Sequence, residues 1–311
     1  MKSRSLQSKL FFAYISLACL ILFSFAVFFY AFVSRQLKQS QISAMNTLNS
    51  SFQTQVDSAI RNLDAVSVNI NYSNQSKTIL DNSFNLNISS NMLSAMSDLF
   101  ISLSGTELKA DQVNLYDFSG YVLEAGISTI VKKTDGSKDE WIEVARELEG
   151  KKVLTPPYCT REYTKTATYD QWFISLYRSF NNQYKRGVGV IETAKQCKSV
   201  FKSIITYKKK NHEDAASIYV FDSNGDLIYP YDISQEYKAA LQPYYELTKG
   251  DDSALTFISP LTGKTEYAAE AVSSYTGYTY LTIQPESVVL APVYNCLLYT
   301  SDAADELDGV D

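Results

Sequence analysis

The sequence predicts an α+β protein: a membrane helix, a long helix continuing from it, and two small lobes, each with a central antiparallel sheet. Three observations predict this. Residues 11–33 form an uncharged apolar run of 23 residues, long enough to cross a bilayer as a helix. Residues 34–72 repeat apolar side chains every three or four positions without a Pro or Gly, the mark of an amphipathic helix. A strand–turn–strand pattern then occurs twice, at 113–126 and 217–230.

The apolar run follows Lys2, Arg4 and Lys9. This basic flank places residues 1–9 inside the cell and everything beyond residue 33 outside. The run is too long for the apolar core of a removable signal peptide and lacks a small-residue cleavage site. Residues 10–33 are therefore expected to anchor a cell-membrane protein with about 260 residues outside, enough for one elongated domain or two lobes.

The formal charge of −6 includes no basic tract of the kind that binds nucleic acid. The 23 tyrosines suit strand faces and aromatic-lined pockets. His212 is the only histidine, which argues against His-based metal sites and Ser-His-Asp hydrolysis. Glycine-rich nucleotide loops, nucleophile elbows and metal-ligand clusters are absent from the sequence, so no cofactor, metal or catalytic residue is expected. Asp222-Ser223-Asn224-Gly225-Asp226 resembles part of a calcium loop, but Ile233 stands where the terminal acid belongs. A hairpin turn rich in Asp and Asn is the simpler reading.

Of the cysteines, Cys19 lies in the membrane helix, and Cys159 and Cys197 lie outside, where a disulfide between them is permitted. Cys296 opens a tail, CLLYTSDAADE, that resembles a translated sequencing-library adaptor over eleven consecutive residues. Residues 296–311 are accordingly expected to be adaptor-derived, with natural sequence ending near Asn295 and a second membrane crossing lying beyond it.

Within the long helix, Leu48, Phe52, Val56, Ile60 (or Ala59), Leu63, Val66 and Ile70 fall on one face. Joined to the membrane helix it would extend about 90 Å, a length that calls for packing against its own lobes, a second copy, or both. Residues 88–100 continue the helical pattern through Leu93, Met96, Leu99 and Phe100. Residues 113–124 read as a hairpin turning at Phe118-Ser119-Gly120, 140–149 as a short helix, 172–180 and 186–191 as strands, and 194–207 as an amphipathic helix. The second hairpin repeats the first, with an acid before the turn and a glycine closing it. A helix at 237–247 and strands at 254–259, 265–274 and 278–284 complete the chain, and 285–294 leads back toward the membrane.

A ligand pocket needs an aromatic wall and a few fixed polar groups. Tyr169, Asp170, Trp172, Tyr177 and Arg178 provide that mix within ten residues. Arg178 is suited to a bidentate carboxylate pair and Asp170 to an ammonium, which points to an amino acid or small carboxylate. The same residues are also consistent with an aromatic core and an internal Arg178 salt bridge.

The layout resembles a double Cache sensor, the tandem PAS-like extracytoplasmic module of bacterial receptors. The resemblance rests on VNLYDFSGYVLEAG, WFISLYRSF with RGVGVIETAKQCKSVF, and SIYVFDSNGDLIYP, and covers residues 34–294. It implies a helical part at 34–110, a distal lobe at 111–210, a proximal lobe at 211–284 and an approach to a second crossing at 285–295. In detail it is most similar to Gram-positive sensor histidine kinases. That implies a homodimer that binds a small nutrient outside and reaches a response regulator only through a kinase absent from these residues. Chemotaxis transducers and cyclic-di-GMP enzymes share the sensor pattern, and a surface-displayed binding module remains the alternative of a different class. The amino-acid-binding pattern of the family finds only a loose counterpart here in Arg178, Trp172 and Asp170.

Overall fold

The computed structural model describes residues 6–74, 76–77, 90–105, 107–118, 120–127, 129–160, 171–181, 187–211, 216–249 and 254–294. Helix α1 (Leu6–Tyr72) is continuous, and it holds a stretch long and apolar enough to cross a membrane. From Leu10 to Phe32 its large apolar side chains are exposed all round, the pattern of a helix surrounded by an apolar medium. From Met45 onward it becomes one-sided. Phe52, Val56, Ile60, Leu63, Val66 and Ile70 are buried on the face the spacing predicts.

The described chain divides into two compact units, residues 49–250 with 270–281, and residues 1–48 with 251–269 and 282–311. The larger unit contains a seven-stranded antiparallel sheet. It comprises β1 (Gln112–Asp117), β2 (Tyr121–Gly126), β3 (Ile130–Lys133), β4 (Val153–Leu154), β5 (Tyr158–Thr160), β6 (Gln171–Asn181) and β7 (Gly187–Gln196). The order is β3-β2-β1-β7-β6-β4, with β5 also pairing β6. Alternation along the strands gives this sheet two faces of different chemistry. Leu115, Leu123 and Ile191 are paired across strands and buried. Arg178, paired with Ile191, lies on the same side and reaches α1. The other face carries Tyr116, Val122, Val190 and Tyr177, which pack with Ala145 and Trp141 of α3 (Asp139–Glu147). Helix α2 (Ser90–Ser104) precedes the sheet; its Leu99 and Phe100 are buried, while the side chains of Leu93 and Met96 lie outside the described set.

A second antiparallel sheet has the order β10-β11-β12-β8-β9. Its strands are β8 (Ser217–Phe221), β9 (Leu227–Tyr229), β10 (Ala254–Ile258), β11 (Thr265–Val272) and β12 (Thr279–Pro285). In the larger unit, β8 and β9 are covered by α6 (Gln235–Leu247). Ring pairs join them, Tyr219 with Tyr244 and Phe221 with Tyr245, each 5.4 Å between centroids. In the smaller unit, Met45 packs with Tyr267, Ala269, Val289 and Leu290, the last next to helix α7 (Glu286–Val289). Lys38 lies 4.5 Å from the Tyr267 ring centroid, and the Tyr267 hydroxyl donates to Glu286 at 2.5 Å.

The two hairpins match in atomic detail. Asp117 accepts the backbone N–H of Tyr121 at 2.7 Å, and Asp222 accepts that of Asp226 at 2.9 Å. Gly120 and Gly225, three residues after each Asp, have φ of +90° and +91°, the region glycine enters without steric cost. At Gly225 space is limiting too, because an added Cβ would lie 2.4 Å from the Tyr245 ring.

The sequence expectation fails at residues 194–207. Strand β7 continues to Gln196, because Gln112 and Val113 pair with Ala194 and Thr193. Helical structure begins only at Cys197 and is split into α4 (Cys197–Val200) and α5 (Lys202–Asn211). Phe201 between them leaves helical geometry, is fully buried, and packs against Tyr229 and Tyr231. Strand pairing on both sides of β7 and one buried ring override helical periodicity here.

Within the larger unit, α1 is fastened through two acids two turns apart. Asp57 accepts hydrogen bonds from Ser273 (2.7 Å) and Thr276 (3.1 Å), both in the β11–β12 turn. Asp64 accepts from the Tyr275 hydroxyl at 2.6 Å and pairs with Lys152 at 3.4 Å. It also pairs with Arg178, which further donates to Ser67 at 3.0 Å and to the Gly150 carbonyl. Arg61 lies 3.8 Å from the Tyr275 ring centroid, an added cation–π contact. Arg178→Ala removes all three Arg178 bonds and leaves Asp64 with one cation fewer. The expected loss is about 2 kcal/mol, read as a lower urea midpoint at unchanged slope.

Candidate functional site

The polar row that forms the site follows from strand register. Glu124, Asn114, Glu192 and Tyr177 are successive cross-strand neighbours on β2, β1, β7 and β6, all on the face turned toward α3. Glu192 is fully buried. Isolated burial of a carboxylate is costly, and the surrounding donors offset that cost. Its Oε2 accepts from the Asn114 amide and the Tyr116 hydroxyl, each at 2.7 Å. Its Oε1 accepts from the Ser175 hydroxyl at 2.6 Å and the Tyr158 hydroxyl at 3.1 Å. The Lys138 ammonium, just before α3, lies 3.2 Å from Oε2.

Burial by itself would raise the Glu192 pKa. The Lys138 charge and the Ser175, Tyr116 and Asn114 bonds outweigh it and bring the carboxyl from 4.5 down to about 2. Glu192 is thus an anion throughout the physiological range.

Above this row lies a cavity of about 250 Å³. Lys138, Trp141, Thr155, Tyr158 and Tyr177 line it, with Cys159 at its rim. Trp141 and Tyr177 stack at 6.5 Å and 22°, giving an aromatic wall. Lys138 and Tyr158 both line the cavity and bond Glu192, so they carry the buried charge to the cavity surface. The arrangement suits a small molecule with an apolar part and a polar head.

The structure distributes the sequence-predicted residues differently from the single cluster expected. Tyr177 lines the cavity. Trp172 and Arg178 lie on the alternate face of β6. Trp172 packs on Tyr231 at 5.8 Å, and Arg178 bonds α1 as described, so the internal salt bridge is the role the geometry gives it. Tyr169 and Asp170 lie outside the described residues, as does His212. Cys159 and Cys197 are not joined by a disulfide; one is exposed and the other buried. Cys159 pairs with Trp172 on β6, and Cys197 follows Gln196, which pairs with Phe173. The β6 strand therefore runs between them, and two strand spacings, about 10 Å, exceed disulfide reach.

Glu192, Lys138, Trp141 and Tyr158 were not legible as a site from sequence. The available signal was Glu192 itself, an acid placed between Val190 and Ala194 on one face of a strand. Lys138, Trp141 and Tyr158 come from separate elements with no motif linking them.

A folded-state pKa below the unfolded one contributes stability at neutral pH. For Glu192 that contribution is complete above about pH 4.5 and disappears as pH falls toward about 2, amounting to roughly 3 kcal/mol. Lys138→Met removes the nearby positive charge and raises the Glu192 pKa, so acid unfolding monitored by circular dichroism is expected to begin at higher pH. An unchanged acid midpoint would contradict this electrostatic account.

No protein-family model matches the chain, and no curated protein matches it by sequence. Solved structures do match by shape. The sensory domain of the Campylobacter jejuni chemoreceptor Tlp3 with isoleucine bound aligns at TM-score 0.55 and 14% identity, covering 83% of this chain and 98% of its own. The periplasmic sensory domain of chemoreceptor Tlp1 from the same organism aligns at 0.57 and 14%, covering 82% and 99%. The ligand-binding domain of Pseudomonas fluorescens chemoreceptor CtaA with L-leucine aligns at 0.52 and 13%, covering 82% and 99%. The chain therefore has the two-sheet α+β fold of these bacterial sensory domains.

Proposed function

We propose that this chain is the sensory region of a transmembrane receptor and that the cavity above Glu192 binds a small amino acid. The observation that carries this reading is the cavity itself: a stacked aromatic wall beside an ammonium and a buried carboxylate fixed in the sheet. Lys138 faces the ligand carboxylate. Tyr158, bonded to Glu192, receives the ammonium, and Trp141 and Tyr177 enclose the apolar side chain. Neighbours of the same fold bind isoleucine and leucine, which supports the choice of ligand.

The apolar part of α1 crosses the membrane, with Lys2, Arg4 and Lys9 on the inner side and the sheets outside. Residues 34–110, 111–210 and 211–284 act as helical part, distal lobe and proximal lobe. Ligand binding shifts the sheet against α1, and the continuous helix carries the displacement across the bilayer to bias an output. The proposed output is a histidine kinase acting on a response regulator. A chemotaxis transducer is the second reading, favoured by the chemoreceptor origin of the neighbours.

Calorimetry on the chain in lipid nanodiscs with a panel of L-amino acids tests the ligand assignment. At least one is expected to bind, and Trp141→Ala is expected to weaken it by about tenfold or more. A panel without binding, or binding indifferent to Trp141→Ala, rejects the site. Genomic sequence beyond codon 295 separates the outputs: a kinase core, a chemotaxis signalling domain, or a stop codon that rejects the receptor reading.

A further inference from the structure

The β10–β11 hairpin of the smaller unit carries apolar side chains that the described residues leave uncovered. Ile258, at the end of β10, is 65% exposed, and Leu261, in the turn, is 40% exposed. Pro260 between them is exposed as well. The turn is pinned from inside. The hydroxyl of the buried Ser259 accepts the backbone N–H of Leu261 at 3.3 Å and that of Thr262 at 3.1 Å. The Gly263 N–H donates to the Ser259 carbonyl at 2.9 Å. A turn fixed in this way holds Ile258 and Leu261 outward. Residues 254–265 contain a single charged side chain, Lys264, so no acid there opposes approach to a phosphate surface.

The hairpin belongs to the same compact unit as residues 1–48 of α1. Tyr267 of β11 lies beside residues 38–45 of the helix: Lys38 is 4.5 Å from its ring centroid, and Met45 packs with it. Further along both elements, the Gln53 amide donates to the Val272 carbonyl at 3.5 Å. Strand β11 thus runs in the same direction as α1, and the chain from Tyr267 back to the turn runs toward the apolar part of the helix. The tip lies about four strand residues from Tyr267, or about 13 Å. That is the rise of about nine helical residues, which puts the tip level with about residues 29–36 of α1.

The chemistry of α1 changes at that level. The uncharged run ends at Val33, and Arg35 is the first charged residue after it. Tyr30 is hydrogen-bonded to Tyr294, and tyrosines collect at the headgroup level of a bilayer. Exposed Ile258, Pro260 and Leu261 beside one lysine have the composition of an interfacial anchor. The apolar side chains suit the boundary between headgroups and acyl chains, and a lysine stem can reach from there to the phosphates.

We infer that the β10–β11 turn docks on the outer leaflet of the membrane, with Ile258 and Leu261 in the headgroup–acyl boundary and Lys264 at the lipid phosphates. This rests on the reading of α1 as a membrane helix. A lone helix leaves a domain free to rotate about the helix axis. A second lipid contact beside it fixes the rotation of the smaller unit.

The test uses the full chain in nanodiscs of phosphatidylcholine and phosphatidylglycerol, with Cys19, Cys159 and Cys296 replaced by alanine and the buried Cys197 kept. A bimane label is attached singly at Leu261→Cys, Ile258→Cys, Phe23→Cys or Lys209→Cys, and phosphatidylcholine with a nitroxide near the headgroup end of its acyl chain is the quencher. A probe about 5–10 Å into the interface is expected to lose about half of its emission. Leu261→Cys and Ile258→Cys are therefore both expected to be quenched, and Lys209→Cys, exposed on α5, is not. Phe23→Cys reports on the membrane helix itself. Quenching at Phe23→Cys with none at either hairpin position overturns the inference and leaves the membrane helix standing. Absence of quenching at Phe23→Cys overturns both. Hairpin labels that respond to the number of chains per disc and not to the nitroxide lipid overturn it in favour of contact with a second copy.

Discussion

Asp64 is the group on which the arrangement of the larger unit depends. It is an acid on the inward side of a long helix, and its partners come from three places: Arg178 on β6, Lys152 before β4, and Tyr275 in the β11–β12 turn. Burial opposes its ionisation, but the Tyr275 bond and the Arg178 and Lys152 charges outweigh this and lower its pKa. An ion pair of this kind adds little net stability by itself. Its value is specificity, because a helix rotated by one residue or shifted by one turn would separate Asp64 from Arg178, Lys152 and Tyr275. The apolar ridge Phe52–Ile70 supplies the driving force for burial, and Asp57 and Asp64 select one register of that ridge.

The same constraint links the site to α1. The seven-stranded sheet has one face on α1, through Arg178, and the other beneath the cavity, through Glu192 and Tyr177. Tyr177 and Arg178 are consecutive residues of β6. A displacement of Tyr177 therefore moves the backbone that bears the helix anchor. The Lys152–Tyr158 segment offers a parallel route, since Tyr158 reaches Glu192 while Lys152 reaches Asp64. These routes use packed, hydrogen-bonded elements, which resist continuous deformation and favour shifts between discrete arrangements.

Local signals in the chain were legible where local physics decides. The helix ending at Tyr72, the hairpins with their Asp and Gly, and the strand at β6 all follow from periodicity or turn chemistry. The expected helix at 194–207 was wrong at its start because pairing of Ala194 with Gln112 is a long-range event that no window of sequence contains. The cluster around Trp172 and Arg178 was assembled from sequence proximity. In a strand, however, neighbouring residues point to opposite faces, and the pleat assigned Tyr177 to the cavity and Arg178 to α1.

By itself the sequence determined the apolar first part of α1, the amphipathic second part, the repeated hairpin and the α+β class. Each of these rests on interactions between residues close in the chain. The tertiary structure alone decided the site. Glu192, Lys138, Tyr158 and Trp141 belong to different elements and meet only through strand register and the packing of α3. A buried carboxylate can ionise only where several donors converge on it, and that convergence is a property of the folded sheet.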